Sequence, residues 1–170
     1  SKSMIRILGA GAWGTALAVL WAHPRTEVDP PAIELIAHTA AEASAISAAR
    51  MNARRLPGVT LPESIRIRSV DDELSELGVG DLLVIAIPSD AIRGALAQVT
   101  VGGAHVVMAS KGLSREGERV SEIAVAAGVS PSTLFTLSQD QTLPVRSQQA
   151  SQPLRCSPVK ARPVKMSSPR

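Results

Sequence analysis

The sequence predicts an α/β fold in which a doubly wound parallel sheet of about six strands is flanked by helices. Short β-rich apolar segments alternate with helix-compatible segments along residues 1–138. The connections between them are short, which favours parallel pairing because parallel neighbours require a crossover. The first predicted strand also runs directly into a glycine-rich turn, "GAGAWG", that opens the first helix.

Six segments have the composition of strands and end at turn signals. These are Met4–Leu8, Ala32–Ala37, Ile65–Ser69, 81–87, 105–110 and 132–138. The fourth is apolar on both faces, as expected of an interior strand.

Five segments between the strands are predicted to be helical, and two of them have clear start signals. Thr39 is the predicted N-cap of the second helix, with Glu42 at the spacing of a capping box, and Ser89 is the predicted N-cap of the fourth. The helices cover residues 14–21, 40 to about 55, 70–77, 90–99 and 118–127.

The glycines of the first turn fit the pattern G-x-G-x-x-G in the strand–turn–helix context that this motif requires. Gly9 is expected to permit the tight turn, Gly11 to let the backbone approach a diphosphate, and Gly14 to let the helix pack closely on the sheet. The free amides and the dipole of the helix start favour an anion there. The motif therefore predicts a Rossmann dinucleotide site. A tight turn without a ligand is the alternative.

The second strand ends at the position where a Rossmann site usually has a carboxylate for the ribose hydroxyls. His38 and Thr39 occupy that position, whereas Glu34 lies too early in its strand. A site without a carboxylate does not repel a 2′-phosphate, so NAD and NADP are both candidate cofactors. A solvent-exposed histidine without a binding role is the alternative for His38.

Two further residues are candidates at the mouth of this site. The ring of Trp13 can shield a phosphate site from water, or it can pack on neighbouring loops. Lys111 follows the fifth predicted strand at the carboxyl edge of the sheet, where a cation suits a phosphorylated ligand. A lysine on an exposed loop is equally consistent with the sequence.

Residues 4–138 resemble the bacterial-type NAD(P)-dependent glycerol-3-phosphate dehydrogenases. The resemblance rests on "GAGAWGTALA", "LPGVTLP", "VIAIPSDAIR" and "ASKGL". It implies the nucleotide-binding domain of an oxidoreductase that interconverts dihydroxyacetone phosphate and sn-glycerol 3-phosphate for phospholipid synthesis. No signal-peptide pattern is visible in the sequence, so a cytoplasmic location is expected. The implied cofactor-binding residues are Gly9, Ala10, Gly11, Ala12, Trp13, Gly14, His38 and Lys111, and Lys111 is also implied to bind the substrate.

The family's catalytic lysine belongs to a helical second domain that has no counterpart in this sequence, so no catalytic residue is expected in this chain. Two other functions remain open: the nucleotide-binding domain of a 6-phosphogluconate or hydroxyacyl dehydrogenase, or a non-catalytic truncated fragment that binds nucleotides. Without a second domain, an uncovered sheet edge predicts self-association or a homo-oligomer.

The composition changes at residue 139, which predicts two units: a dinucleotide-binding domain over 1–138 and a disordered basic tail over 139–170. The tail is rich in Pro, Ser and Gln and has six basic residues and one acid, against 12 basic and 14 acidic residues in 1–138. The family continues Ser-Gly-Pro where this chain has Ser138-Gln139-Asp140. A frameshift or truncation explains this break, because a shifted reading of permitted codons restores family-like residues.

The remaining composition argues against several partners and cofactors. The tail has scattered charges and no aromatic residue, so nucleic-acid binding is not expected. The only cysteine is Cys156, which excludes an internal disulfide, and no metal site is expected. The apolar runs are too short to span a bilayer, so no membrane partner is expected.

Overall fold

A computed structural model of the chain describes residues 2–23, 29–110, 115–137 and 142–144. The described strands are β1 Met4–Leu8, β2 Ala32–Ala37, β3 Ile65–Ser69, β4 Leu82–Ile85, β5 His105–Met108, β6 Leu134–Leu137 and β7 Thr142–Pro144. The described α-helices are α1 Ala12–Ala22, α2 Ala40–Ala49, α3 Ser89–Gln98 and α4 Val120–Ala126, and a 3₁₀ turn, Pro131–Thr133, leads into β6. No helix within the described ranges is long and apolar enough to cross a membrane.

The strands form one sheet in the order β3-β2-β1-β4-β5-β6-β7. β1 to β6 are parallel to their neighbours, and only β7 is antiparallel, paired with β6. The predicted doubly wound parallel sheet of six strands is thus confirmed. The direction of winding reverses between β1 and β4, and ligands of such sheets bind outside the carboxyl ends of the strands at this point.

The core consists of two apolar layers on opposite faces of the sheet. Successive residues of β4 alternate between them, since side chains of a strand point to opposite faces: Val84 packs in one layer, and Leu83 and Ile85 in the other. One layer includes residues of α1 and α2, and the other includes residues of α3 and α4. The glycine turn that follows β1 therefore lies at the end of a strand that is packed on both faces of the sheet.

The predicted acidic helix at residues 70–77 is wrong. The Asp72 carboxylate accepts hydrogen bonds from the Ser69 amide at 2.8 Å and from the Arg68 Nε at 3.3 Å, which closes a turn at the end of β3. The side chain of Leu77 is then buried in the core from a non-helical segment. The hydrogen bonds of the Asp72 carboxylate and the burial of Leu77 stabilise this non-helical segment more than its helical sequence pattern stabilises a helix.

Two helix boundaries also differ from the prediction. α2 ends at Ala49 and not near residue 55, because Arg50 adopts a left-handed conformation with φ 48°. The Arg50 guanidinium donates hydrogen bonds to the carbonyls of Pro62 and Ile65, which fixes this end of the helix. At α3, Pro88 occupies the N-cap position and Ser89 is the first helical residue.

Three residues of the predicted disordered tail are described, and they form β7 at the edge of the sheet. Pro144 pairs there with Phe135. Proline is tolerated on edge strands because it has no amide to donate to a further neighbour. The prediction of disorder for the rest of residues 139–170 falls outside the described residues.

An ion pair between β1 and β2 lies inside the sheet's apolar surroundings. Arg6 and Glu34 are register partners, and the Arg6 Nη2 lies 3.5 Å from the Glu34 Oε2. The guanidinium also donates to the carbonyl of Ser75 at 2.8 Å and to its hydroxyl at 3.1 Å. Arg6 and Glu34 are 1% and 4% exposed, so each charge depends on the other for compensation.

We expect Glu34→Ala to lower the free energy of unfolding by about 3 kcal/mol, because it leaves the Arg6 charge buried without its partner. The double variant Arg6→Met with Glu34→Met should lose less of the free energy of unfolding than Glu34→Ala alone, since neither charge then remains buried. Urea denaturation measures both. Glu63→Ala is the control, because the Glu63 side chain is 90% exposed and only pairs with Arg50 at 3.8 Å. Equal losses for Glu34→Ala and Glu63→Ala would contradict the prediction.

Candidate functional site

The glycine turn after β1 lies at the point where the sheet reverses its winding. Gly9 has φ +117°, a conformation that favours glycine. Its amide donates to the carbonyl of Ile36 at 3.0 Å, so the turn is tied to β2. A Cβ on Gly9 would overlap the carbonyl of Ala86 and lie 2.8 Å from the Cγ2 of Ile87. The turn therefore lies directly against the end of β4, and glycine is required there by packing.

Gly14 lets the start of α1 pack against the glycine turn that follows β1. A Cβ at Gly14 would overlap the carbonyl oxygen of Gly9 and lie 3.3 Å from the Cβ of Ala86. The sequence predicts close packing of the helix on the sheet at this position. The structure shows that the nearest neighbour is the carbonyl of the glycine turn itself, with the residue after β4 beside it.

Gly11 differs from the other two glycines because no described residue fills the space beside it. It is the N-cap of α1, with φ −74° and ψ −177°, an extended conformation open to any residue. A Cβ built on it meets no atom of the residues that the structure describes within 4 Å. The first intrahelical bond runs from the Thr15 amide to the Gly11 carbonyl at 3.0 Å. The space in front of the helix start is thus open.

The start of α1 can accept an anion. The first amides of a helix have no intrahelical acceptor and carry the positive end of the helix dipole. Among the described residues no side chain caps α1 and no acidic residue lies in its first turn. Ala12 and Trp13 are exposed next to Gly11, and Trp13 keeps 53% of its surface accessible. About half of the Trp13 surface is therefore accessible to a ligand or to solvent.

Asn52 is a buried polar residue at this site that the sequence analysis misses. Its Nδ2 donates to the carbonyl of Ala10 at 2.8 Å and to the Thr15 Oγ1 at 2.9 Å, and the side chain is almost fully buried. The prediction extended α2 through residue 52, which hid it inside a helix. Asparagine is common just after the end of a helix, so its position could have predicted where α2 ends. The residue type alone does not predict the contact with the glycine turn.

The end of β2 carries His38, Thr39 and a carboxylate that the sequence analysis does not anticipate. The Thr39 hydroxyl accepts from the Glu42 amide at 3.1 Å, which confirms the predicted cap. The Glu42 Oε2 then accepts from the His38 amide at 3.2 Å and not from Thr39. The expectation that this strand end has no carboxylate is therefore wrong: the carboxylate comes from the first turn of α2, and His38 is exposed beside it.

Lys111 lies outside the described residues, and the segments on either side of it contact the carboxyl edge of the sheet. The Ser110 hydroxyl donates to the carbonyls of Ile85 at 3.2 Å and Ile87 at 2.5 Å. Arg115 donates its amide to the Asp90 carboxylate at 3.0 Å and forms an ion pair with it at 3.1 Å. Both flanking segments are thus attached near the end of β4 and the start of α3.

Known proteins with similar sequences are dehydrogenases. The chain is 39% identical over 139 residues to glycerol-3-phosphate dehydrogenase [NAD(P)+] of Chlorobium phaeobacteroides, covering 78% of this chain and 40% of that protein. It is 39% identical over 130 residues to the enzyme of the same name from Halorhodospira halophila, covering 76% and 37%. The chain therefore spans about 40% of the length of these relatives.

Solved structures support the fold. Glycerol-3-phosphate dehydrogenase of Coxiella burnetii superposes with a TM-score of 0.59 at 23% identity, over 79% of this chain and 39% of that one. The enzyme of Plasmodium falciparum superposes with a TM-score of 0.63 at 17% identity, over 80% and 40%. At these identities the superpositions establish the Rossmann-type architecture.

The family profile described as "NAD-dependent glycerol-3-phosphate dehydrogenase N-terminus" matches residues 4–138. These residues contain the glycine turn, the end of β2 and strands β1 to β6. The match covers most of the sequence, so the chain belongs to this family of N-terminal, NAD-binding dehydrogenase domains.

Proposed function

We propose that this chain is the NAD(P)-binding part of an oxidoreductase that interconverts dihydroxyacetone phosphate and sn-glycerol 3-phosphate. The open, uncapped start of α1 beside Gly11 carries the proposal, because it offers main-chain amides to an anion at the point where ligands of such sheets bind. Family membership supports the choice of a nicotinamide dinucleotide as the ligand.

The residues around the turn fit the parts of a dinucleotide. The segment from Gly9 to Gly14 binds the diphosphate through its amides, and Ala10 and Ala12 leave room for it as small residues. His38, exposed at the end of β2, lies where the adenosine ribose binds in this fold. The half-exposed ring of Trp13 shields the diphosphate from water. Lys111 binds the cofactor and the phosphate of the substrate.

The cofactor, when bound, would supply a hydride to C2 of dihydroxyacetone phosphate in the reduction and would accept one from C2 of sn-glycerol 3-phosphate in the oxidation. The described residues bind and orient the cofactor, and we assign no acid or base of the reaction to them. The reaction provides a glycerophospholipid precursor, and we place it in the cytoplasm. We further propose that the edge strands of the described sheet, β3 and β7, promote self-association.

Glu42 favours NAD over NADP. Its carboxylate lies within hydrogen-bond distance of the His38 amide, at the strand end where the adenosine ribose binds. A carboxylate at this position can accept hydrogen bonds from ribose hydroxyls, whereas it repels a 2′-phosphate. The same side chain occupies the amide that a phosphate would otherwise use.

The first prediction concerns Gly11. We expect Gly11→Val to weaken NADH binding by more than about tenfold, because the added side chain fills the space in front of the first helical turn. The free energy of unfolding should change by less than about 1 kcal/mol, since Gly11 has an ordinary backbone conformation. Fluorescence titration with NADH and urea denaturation measure the two quantities.

A matched glycine substitution controls for this test. Gly94 is exposed in the middle of α3, and a Cβ there meets no atom within 4 Å in the described part of the chain. Gly94→Ala should stabilise the helix by up to about 1 kcal/mol and leave NADH binding unchanged. If Gly11→Val binds NADH as tightly as the wild-type chain, the diphosphate does not lie at the turn.

The second prediction concerns cofactor choice. We expect Glu42→Gln to improve binding of NADPH relative to NADH by about fivefold, since an exposed like charge contributes about 1 kcal/mol. Glutamine keeps the capping geometry of α2. The measurement is the ratio of the two dissociation constants. Glu63→Gln removes the same charge from an exposed loop and should leave the ratio unchanged. An identical ratio in Glu42→Gln and Glu63→Gln would show that Glu42 does not select the cofactor.

A further inference from the structure

We infer that Asn52 is a positioning residue that holds the Ala10–Gly11 peptide in the orientation that binds the diphosphate. The inference rests on the proposed function of the glycine turn and names a residue outside the motif as part of its machinery. Asn52 does not touch the open face of the turn. It acts on the turn from the buried side, through the carbonyl of Ala10.

The orientation of one peptide group follows from this contact. The described residues contain no cis peptide bond, and in a trans peptide the C=O and N–H groups point in opposite directions. The Ala10 carbonyl points inward to the Asn52 Nδ2 at 2.8 Å. The Gly11 amide must therefore point away from the buried side, toward the open space in front of α1. This amide is one of the donors available to an anion.

The Ala10–Gly11 peptide needs such a constraint because glycine makes a peptide flip easy. Glycine adopts positive φ at little cost, so the bond before Gly11 could rotate and present the Ala10 carbonyl oxygen to the ligand. An oxygen there would repel a diphosphate. With Asn52 in place, a flip removes the acceptor of a buried Nδ2 donor, and an unsatisfied buried donor is costly.

Asn52 can act as a fixed point because its own position is held on several sides. Its backbone carbonyl accepts from the Leu56 amide at 2.8 Å, and its Oδ1 accepts from the Arg55 amide at 3.3 Å. The second Nδ2 hydrogen bond reaches the Thr15 hydroxyl in the first turns of α1. The amide group therefore has one orientation that satisfies all of its partners, with the NH₂ group facing the glycine turn.

The test uses ADP-ribose, which carries the diphosphate without the nicotinamide, and isothermal titration of the full 170-residue chain. We expect Asn52→Ala to weaken ADP-ribose binding by about tenfold or more, measured at a temperature where the variant is folded by circular dichroism. Val129→Ala is the control, because it truncates a buried side chain in the other layer of the core. It should destabilise the chain without changing the affinity.

The variant Asn52→Asp adds a pH profile that a purely structural role would not produce. An ionised carboxylate has no donor for the Ala10 carbonyl, whereas a protonated one has a hydroxyl donor. Burial raises the pKa of a carboxyl group, so affinity should recover as the pH falls from about 8 to about 6. At the lower pH this variant should bind ADP-ribose more tightly than Asn52→Ala. The wild-type chain, measured over the same range, is the reference for pH effects that do not involve residue 52.

The outcomes separate this inference from the proposed function. If the wild-type chain does not bind ADP-ribose, the proposed function fails. If the wild-type chain binds and Asn52→Ala binds equally well, only the role of Asn52 is refuted. A loss of affinity in Asn52→Asp that does not recover at low pH also refutes it. Three results together support it. Asn52→Ala weakens ADP-ribose binding, Val129→Ala leaves it unchanged, and Asn52→Asp regains affinity at the lower pH.

Discussion

The close contact between the carbonyl of Gly9 and the backbone of Gly14 determines the geometry of the whole site. A Cβ at either position would overlap a carbonyl oxygen, of Ala86 in one case and of Gly9 in the other. The helix α1 can therefore begin directly against the ends of β1 and β4. This contact directs the positive end of the helix dipole to the place where the sheet reverses its winding. Without it, the helix would start further from the sheet, and its first amides would not face the crevice.

The three glycines of the motif do not provide equally strong arguments for function. Gly9 and Gly14 are required by contacts within the protein itself, so their presence alone would also fit a tight turn with no ligand. Gly11 has an ordinary extended backbone and no described residue within 4 Å of its Cβ position, so the contacts of the described part of the chain do not require glycine there. A residue that the fold leaves unexplained at the mouth of an uncapped helix start is the strongest single sign that a ligand binds there.

Local patterns predicted the elements well and the long-range contacts poorly. β1, β2 and β3 have the predicted bounds, because apolar β-rich segments between turn signals are determined by nearby residues. The helix expected at 70–77 does not form, since Asp72 closes a turn and Leu77 enters the core. Side-chain contacts between segments distant in sequence were beyond the reach of pattern analysis. Asn52 lies 42 positions from Ala10, and its hydrogen bond is visible only in the folded chain.

The carboxylates of Glu34 in β2 and Glu42 in α2 have different partners in the folded chain. Glu34 lies too early in β2 to reach the ribose position. In the structure its carboxylate compensates Arg6 inside the sheet, so it is not available to a ligand. Glu42 is eight residues later, but the cap at Thr39 turns it back to the end of β2. A helix cap can thus supply the charge that the strand end lacks.

The loop after α2 connects the sequence motif "LPGVTLP" to the glycine turn. Arg50 ends the helix and donates to the carbonyls of Pro62 and Ile65, and its own carbonyl accepts from the Leu61 amide at 2.7 Å. These bonds close the loop on itself, and the isolated bridge between Met51 and Thr60 lies inside it. Because the loop is closed in this way, the backbone of Asn52 is held in place. The loop therefore has a physical reason to occur together with the glycine motif: it provides the rigid base from which Asn52 reaches the buried side of the turn.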